Sequence, residues 1–165
     1  MRKRVIFTVF MLILLLIELT SAFFINLSSS VPAGIYARKF WGGINQGDYV
    51  VYKPSGEARI LGLERGYFES EKTMFLKKAA LVGSGAYYIN PETRCFWIDD
   101  CYAGQSMQYD SKGRILPFCP GHHVIASDEL LPVGTAAMSF DGRYTGPIKI
   151  NEVLFAAVPV LLFDD

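Results

Sequence analysis

The first apolar stretch of the chain runs from Val5 to Ile25, and it follows the basic start Arg2-Lys3-Arg4. About 20 apolar residues let a helix cross the hydrocarbon core of a bilayer, and basic residues on one flank keep that flank in the cytoplasm. The pattern predicts a basic start and a single-pass membrane helix over residues 1–25, with one periplasmic domain over residues 26–165. The alternative is a cleaved signal peptide, for which Thr20-Ser21-Ala22 offers a weak cleavage signal.

Beyond this segment the apolar runs are short and are separated by Gly, Pro and Asp turns. Residues 57–71 carry mixed helical periodicity, which predicts one short surface helix or an irregular insertion. Many short strands of this kind favour a mainly β fold, a barrel or a sandwich. The last apolar run is about half as long as a membrane span, so it is predicted to be a core strand. After a proline turn that leads into a first strand near Tyr36, the predicted strands cover Tyr49–Tyr52, Thr73–Val82, Ala86–Asn90, His123–Ala126, Thr135–Met138 and Val153–Phe163.

The composition narrows the class of protein. The 165 residues include 16 basic and 16 acidic side chains without a basic stripe or block, so a nucleic-acid partner is unsupported. Half of the residues are hydrophobic, which leaves ample apolar surface to form a core and disfavours intrinsic disorder.

The three cysteines are Cys95, Cys101 and Cys119, and none of them is in a CxxC pair. A zinc site or a thioredoxin-like motif is therefore poorly supported. An exported domain can hold a disulfide. Cys95 and Cys101 flank a five-residue span that predicts a hairpin or a loop, so the favoured pairing joins these two and leaves Cys119 free. Three reduced cysteines are the alternative.

Lys77 is the first candidate for chemistry. Strand alternation places it on one face with Phe75, Ala79 and Leu81. Burial among apolar neighbours disfavours the ammonium form and lowers the pKa of a lysine. To act as a base near neutral pH, that pKa must fall by roughly 3 from about 10.4. The alternative is that the ammonium group reaches solvent and only the stem is covered.

Two further polar segments accompany the lysine. Ser30 ends a run of three serines before a proline turn, a pattern that by itself suits a solvated linker. Ser139, Asp141 and Arg143 share a face of an extended chain, where they can form a charge-assisted polar cluster. The alternative for this segment is an ordinary Asp-Gly turn with a surface ion pair of little energetic value.

Taken in order, the three segments resemble the signal peptidase I superfamily, specifically its conjugative-transfer branch, the TraF-like pilin peptidases. General signal peptidases have two residues between the serine and the proline, whereas here Val31 alone intervenes, as in the transfer branch. Lys78 also stands where an arginine is usual. The matching segments are Asn26-x-Ser28-x-Ser30-x-Pro32-x-Gly34-x-Tyr36, Phe75-Leu76-Lys77-Lys78-Ala79 and Ser139-x-Asp141-Gly142-Arg143-Tyr144-x-Gly146-Pro147.

The resemblance implies a role for each matched residue. Ser30 is expected to be the nucleophile and Lys77 the general base, with no cofactor and no metal. The supporting residues are Ser28 as an oxyanion donor beside the Ser30 amide, Ser139 to orient Lys77, and Asp141 with Arg143 in the wall of the site.

The resemblance also implies a signal-peptidase-like β catalytic domain on the outer side of the inner membrane. Its substrates would be exported precursors, foremost a conjugative pilin, cut after small side chains at the first and third positions before the scissile bond. In some members of the branch, an amine of the same chain resolves the acyl-enzyme and gives a cyclic product. The implied partners are inner-membrane lipid and other transfer or type IV secretion proteins.

Three other functions remain open from the sequence. One is a general type I signal peptidase, and another is a non-catalytic membrane-anchored assembly factor of a secretion or pilus apparatus. A Ser-His hydrolase would need His122 or His123, with Asp128 or Asp141 completing a triad. Zinc on Cys119 and the two histidines is disfavoured because these ligands crowd together without a fourth partner.

Overall fold

Eleven strands form two antiparallel sheets in the part of the chain that the computed structural model describes, residues 4–12 and 22–163. The seven-stranded sheet has the order β1-β2-β11-β3-β4-β9-β10, and the four-stranded sheet has the order β7-β6-β5-β8. The predicted mainly β fold is therefore confirmed. The strands are β1 (Phe23–Asn26), β2 (Gly34–Lys39), β3 (Tyr49–Tyr52), β4 (Phe75–Val82), β5 (Ala86–Ile89), β6 (Cys95–Ile98), β7 (Cys101–Gln105), β8 (Gly121–Val124), β9 (Glu129–Val133), β10 (Ile148–Lys149) and β11 (Val153–Leu162).

Two helices and a 3₁₀ turn interrupt the sheets. Helix α1 (Gly56–Glu64) begins after Ser55 and has an acidic residue, Glu57, in its first turn, where the helix dipole favours a negative charge. It covers the first half of the segment predicted to be a surface helix. Helix α2 (Gly142–Thr145) is one turn long and is capped by the Asp141 side chain. The 3₁₀ turn spans Ile150–Glu152.

The core lies on both sides of β4. One buried cluster joins Leu81 to Tyr87, Ile89 and Phe96 of the smaller sheet, so this cluster packs the two sheets together. Two further clusters cover the remaining strands of the large sheet. Residues of β4 thus belong to all three clusters, so a polar side chain of β4 that points into one of them is removed from water.

The N-terminal segment is described only in part. The predicted membrane helix falls partly on residues 1–3 and 13–21, which lie outside the described residues, while residues 4–12 are helical. Within residues 4–12 and 22–163, none of the helices has the length and apolar character needed to cross a bilayer. Residues 23–25, predicted to end that helix, instead belong to β1, because their backbone pairs with residues 35–37 of β2.

Three strand predictions need correction. Residues 135–138 form a turn instead of a strand, because the Thr135 amide donates to the Ser30 carbonyl at 2.8 Å instead of to a neighbouring strand. Strand β9 is absent from the predicted strands, and it contains Pro132, a residue that is unusual in an inner strand. It is tolerated where the pairing of β9 with β4 shifts register, between Ala79 and Leu81. In β11 only the first half is core, because residues 158–162 are exposed.

The predicted hairpin at Cys95–Cys101 is present, but the predicted disulfide is wrong. Asp99 and Asp100 both have positive φ, at 44° and 65°, and form the two-residue turn between β6 and β7. Cys101 therefore lies opposite Ile98, three positions along the strand from Cys95. That offset separates the two Cα atoms by about 10 Å, whereas a disulfide needs less than about 7 Å. Both cysteines and Cys119 are free thiols.

Candidate active site

Lys77 is buried at the centre of the large sheet. Its side chain is 3% exposed, whereas the next residue, Lys78, is exposed. The Lys77 Nζ atom donates to Ser139 Oγ at 2.7 Å. Burial lowers the pKa of Lys77 from 10.5 to about 8, an effect that Asp141 opposes and Arg143 reinforces. The prediction of a buried lysine with a lowered pKa is thus confirmed, and a substantial fraction of this amine is neutral in mildly alkaline solution.

Asp141 and Arg143 form a buried ion pair beside the lysine. The Asp141 carboxylate accepts from Arg143 Nη2 at 2.8 Å, from Arg143 Nε at 3.0 Å and from the Gly134 amide at 2.7 Å. Arg143 Nη2 also donates to the Ala136 carbonyl at 2.7 Å. The predicted cluster of Ser139, Asp141 and Arg143 is present, although it lies at the start of α2 instead of on an extended chain. Its ion pair is enclosed by protein, in contrast to the surface pair of the alternative interpretation.

Ser30 reaches the same place from the other end of the chain. Its carbonyl accepts from the Thr135 amide at 2.8 Å, next to Gly134. A Cβ atom on Gly134 would lie 2.8 Å from the Ser30 carbonyl oxygen and 2.1 Å from Ser139 Oγ. Ser30 and Lys77 also line one cavity. Ser30 and Lys77 thus line the same cavity, and Gly134 is a close-packed spacer between the Ser30 backbone and Ser139 that the sequence analysis missed.

Asn26 organises the loop that carries Ser30. It is 8% exposed, and its Nδ2 donates to the carbonyls of Ser28, Val31 and Pro32 at 3.2, 3.3 and 3.2 Å. Its Oδ1 accepts from the Ser28 amide at 3.2 Å and from Ser28 Oγ at 2.7 Å. The sequence motif includes Asn26 but predicts no role for it. The repeated polar spacing before Pro32 was the available signal, because a buried amide at a strand end needs several partners.

The Ser28 hydroxyl differs from its predicted role as an oxyanion donor. A serine hydroxyl has one proton to donate. In Ser28 that proton is directed to Asn26 Oδ1. Donation to another oxygen requires the Ser28 side chain to rotate. Of the two predicted oxyanion donors, the Ser28 hydroxyl and the Ser30 amide, only the amide needs no such change.

The cavity beside Ser30 and Lys77 has a volume of about 750 Å³. Besides Ser28 and Asn26, its wall includes the polar residues Asp110 and Ser111, and most of the rest is apolar. The apolar and aromatic lining includes Phe24, Ile25, Val51, Tyr67, Phe68, Met74, Phe75, Leu76, Met107, Leu116, Met138, Phe140, Tyr144 and Phe155. A cavity of this size is in the range of pockets that enclose a small ligand or a peptide segment.

The two histidines lie elsewhere. His122 stacks on Tyr88 with ring centroids 4.4 Å apart, and His123 stacks on Tyr87 at 4.7 Å, both in the smaller sheet. Neither lines the cavity beside Ser30. Among residues 4–12 and 22–163, no three His, Cys, Asp or Glu side chains are grouped as metal ligands. The described geometry therefore does not join a histidine to Ser30.

No protein-family model matches the chain, and no curated protein is similar to it in sequence.

Proposed function

We propose that this chain is a serine endopeptidase of the signal peptidase I type, in which neutral Lys77 is the general base for Ser30. The observation that carries the proposal is the buried Lys77 amine, bonded to Ser139 and facing a cavity that Ser30 also lines. A lysine with an ordinary pKa is almost fully protonated near neutral pH and cannot accept a proton. With a pKa of about 8, Lys77 can do so.

The chemistry proceeds in two steps. Lys77 takes the hydroxyl proton of Ser30 while Ser30 Oγ bonds to the scissile carbonyl carbon. The resulting oxyanion is stabilised by the Ser30 amide, and by the Ser28 hydroxyl once it turns away from Asn26. Collapse breaks the C–N bond, and the Lys77 ammonium returns the proton to the leaving amine. Water, deprotonated by Lys77, then attacks the acyl-enzyme, releases the acid and restores Ser30.

The surrounding polar groups hold this lysine in place without fixing its charge. Ser139 Oγ accepts the Lys77 hydrogen bond and so orients the amine. Asp141 and Arg143 act on the Lys77 pKa in opposite directions, because their charges have opposite sign, and as an ion pair they offset each other. Burial therefore remains the dominant influence on the Lys77 pKa, as a general base in this place requires.

The exterior supports a location at a membrane. Phe23, Ala37 and Val158 form one cross-strand row, and Ile25, Ile35 and Leu161 form the next, across β1, β2 and β11. Phe23, Ile25, Val158 and Leu161 are exposed. These two rows are the apolar surface patch, and Ile25 also lines the cavity. We propose that the segment before β1 anchors the chain in the inner membrane, with the patch towards lipid and the residues from Phe23 onwards in the periplasm.

The proposed substrates are exported precursor proteins, foremost a conjugative pilin, with or without cyclisation of the product. Other conjugative-transfer or type IV secretion proteins are the proposed partners. A general type I signal peptidase is the alternative within the same chemistry.

Membrane topology is tested by a reporter fused after residue 165, which should be active only in the periplasm.

Matched neighbours allow a sharp test of the chemistry. Ser30→Ala and Lys77→Ala should each abolish precursor processing in cells, measured by immunoblot, while the protein stays folded. Ser29→Ala and Lys78→Ala are the controls, because both residues are exposed and neither lines the cavity. Lys77→Arg should fail as well, since guanidinium stays protonated. Processing that survives both Ser30→Ala and Lys77→Ala would favour the non-catalytic assembly factor.

A further inference from the structure

The cavity beside Ser30 and Lys77 is much larger than a methyl group. Its volume is about 750 Å³. Large apolar side chains from four separate parts of the chain line it: Phe68, Met74, Met107, Leu116, Met138 and Phe140. Methionine is unbranched and polarisable, so a wall with three methionines adapts to apolar groups of different shape. Space and lining together suit a bulky apolar group.

The cavity offers few charged groups that could bind a charged substrate side chain. Among the described residues that line the cavity, only Lys77 and Asp110 carry a formal charge. The Asp110 carboxylate accepts from Tyr67 Oη at 2.8 Å and from Arg114 Nε at 2.7 Å. Its other oxygen accepts from the amides of Lys112 and Arg114, each at 2.9 Å. Asp110 is therefore occupied in holding the loop of residues 107–116 against Tyr67, and it leaves no free carboxylate for a cationic side chain.

The cavity is also continuous with the exterior apolar surface. Ile25 belongs to the apolar surface patch and lines the cavity, while Phe24, its neighbour in β1, contributes to the cavity from the opposite face of the strand. A substrate that approaches along the patch therefore meets the cavity at an apolar residue, Ile25. This continuity favours an apolar substrate segment over a polar one.

We propose that the cavity receives a bulky apolar side chain of the substrate, of the leucine, methionine or phenylalanine class, within three residues of the scissile bond. The inference rests on the proposed peptidase function, and it departs from the small side chains that the family resemblance implies. An alanine methyl would leave most of the cavity unfilled. Each methylene that a hydrophobic pocket encloses is worth roughly 10- to 200-fold in kcat/KM, so the preference should be large.

Internally quenched peptides test the proposal with the full-length protein in detergent micelles. The peptides are identical except for Ala, Leu, Phe or Lys at each of the three positions before the cut, which mass spectrometry locates. At one position, the Leu or Phe peptide should exceed the Ala peptide at least about tenfold in kcat/KM. The Lys peptide should be the poorest of the four at that position.

A pair of tryptophan substitutions connects the preference to the cavity. Met74→Trp fills part of the wall at a residue that is 55% exposed, so the fold should tolerate it. It should reduce the Leu-to-Ala ratio at least about tenfold. Ile60→Trp is the matched control, because Ile60 is 53% exposed on α1 and does not line the cavity. It should leave the ratio unchanged.

The outcomes separate this proposal from the proposed function. If Ala peptides are cut as well as or better than Leu and Phe peptides at all three positions, the bulky-side-chain proposal is wrong while the peptidase assignment stands. A Leu preference that Met74→Trp leaves intact also overturns it, since the preference would then arise outside this cavity. If no peptide is cut and precursor processing is insensitive to Ser30→Ala, the peptidase function itself fails.

Discussion

Lys77 and Ser139 are joined by a hydrogen bond of 2.7 Å between Nζ and Oγ, and both side chains are buried. The bond fixes the direction of the amine, which otherwise has four rotatable side-chain bonds. Because Ser139 accepts from Lys77, it also favours the charged form of the lysine relative to an apolar neighbour. Orientation and protonation of the proposed base thus depend on one hydroxyl.

Replacing Ser139 by Ala should lower kcat/KM by about 10- to 100-fold without unfolding the protein, since a misplaced base loses much of the general-base contribution. The same substitution should move the alkaline rise of activity to lower pH, because the ammonium form loses an acceptor. A pH–rate profile of the variant measures both effects. Ser29→Ala, at an exposed serine, should change neither. An unchanged profile in Ser139→Ala would show that Ser139 does not act through Lys77.

The activity of the unmodified protein should rise with pH and level off above the Lys77 pKa of about 8. Below that value the neutral amine decreases by about a factor of ten for each pH unit, and kcat/KM should decrease with it. A series of kcat/KM measurements between pH 5.5 and 10 tests this. A rise centred near pH 6.5 would instead point to a histidine as the base.

Lys77→Met should stabilise the fold while it abolishes activity. Lowering the Lys77 pKa from 10.5 to about 8 corresponds to about 3 kcal/mol at 1.36 kcal/mol per pH unit, an upper bound on the gain from removing the charge. Between these two pH values the unfolded chain binds more protons than the folded one, so the stability of the unmodified protein should increase with pH. Below pH 8 the lysine is protonated in both the folded and the unfolded chain, so this increase in stability is absent.

Urea unfolding at pH 7 and pH 10 measures the Lys77→Met effect, and the variant should lack the pH-dependent gain. Lys78→Met is the control, because Lys78 is exposed and its loss should change the free energy of unfolding by no more than about 0.5 kcal/mol. Equal effects of the two substitutions would contradict the burial of Lys77 and the lowering of its pKa.

Asp141→Asn should destabilise the protein by about 3 to 5 kcal/mol, since it leaves the Arg143 guanidinium buried without its counter-charge. The Arg143 and Asp141 side chains are 4% and 0% exposed. Asp128→Asn is the comparison, because the Asp128–Lys149 pair has side chains 65% and 47% exposed. Its loss should cost about 0 to 1 kcal/mol. Urea unfolding of both variants measures the two losses in free energy of unfolding. A loss in Asp141→Asn no larger than that in Asp128→Asn would contradict a buried ion pair at Asp141 and Arg143.

Gly134→Ala should greatly reduce activity, because its Cβ atom would lie within 2.1 Å of Ser139 Oγ and must displace it. We expect a loss of at least about 100-fold in kcat/KM, in line with a misplaced catalytic group. Gly113→Ala is the comparison, since that glycine has positive φ but open space around it. It should cost stability through backbone strain and leave kcat/KM near that of the unmodified protein.

Much of the site could be predicted where the information is local. The burial of Lys77 follows from alternation within one strand, and Ser139, Asp141 and Arg143 lie within five residues of one another. Gly134 could not be assigned a role, because its function depends on Ser30 and Ser139 meeting in space. Nothing in the short segment around Gly134 shows that a Cβ atom there would clash.

The errors in the fold have a similar origin. The disulfide between Cys95 and Cys101 was inferred from a short spacing, but the register of a hairpin depends on its turn, and the Asp99-Asp100 turn sets the two cysteines diagonally apart. The end of β11 is apolar yet exposed, so periodicity and hydrophobicity alone did not separate core from surface.

The order of the strands has a consequence for the time at which this protein becomes active during its synthesis. Strand β11 lies between β2 and β3, so the large sheet cannot be completed before the ten residues of that strand have been made. Ser30 is among the first residues of the domain to emerge, whereas its contact at Thr135 follows 105 residues later. A nascent chain that lacks β11 therefore contains the proposed nucleophile without the geometry of the proposed base, and we expect it to be inactive towards neighbouring proteins until β11 has been made.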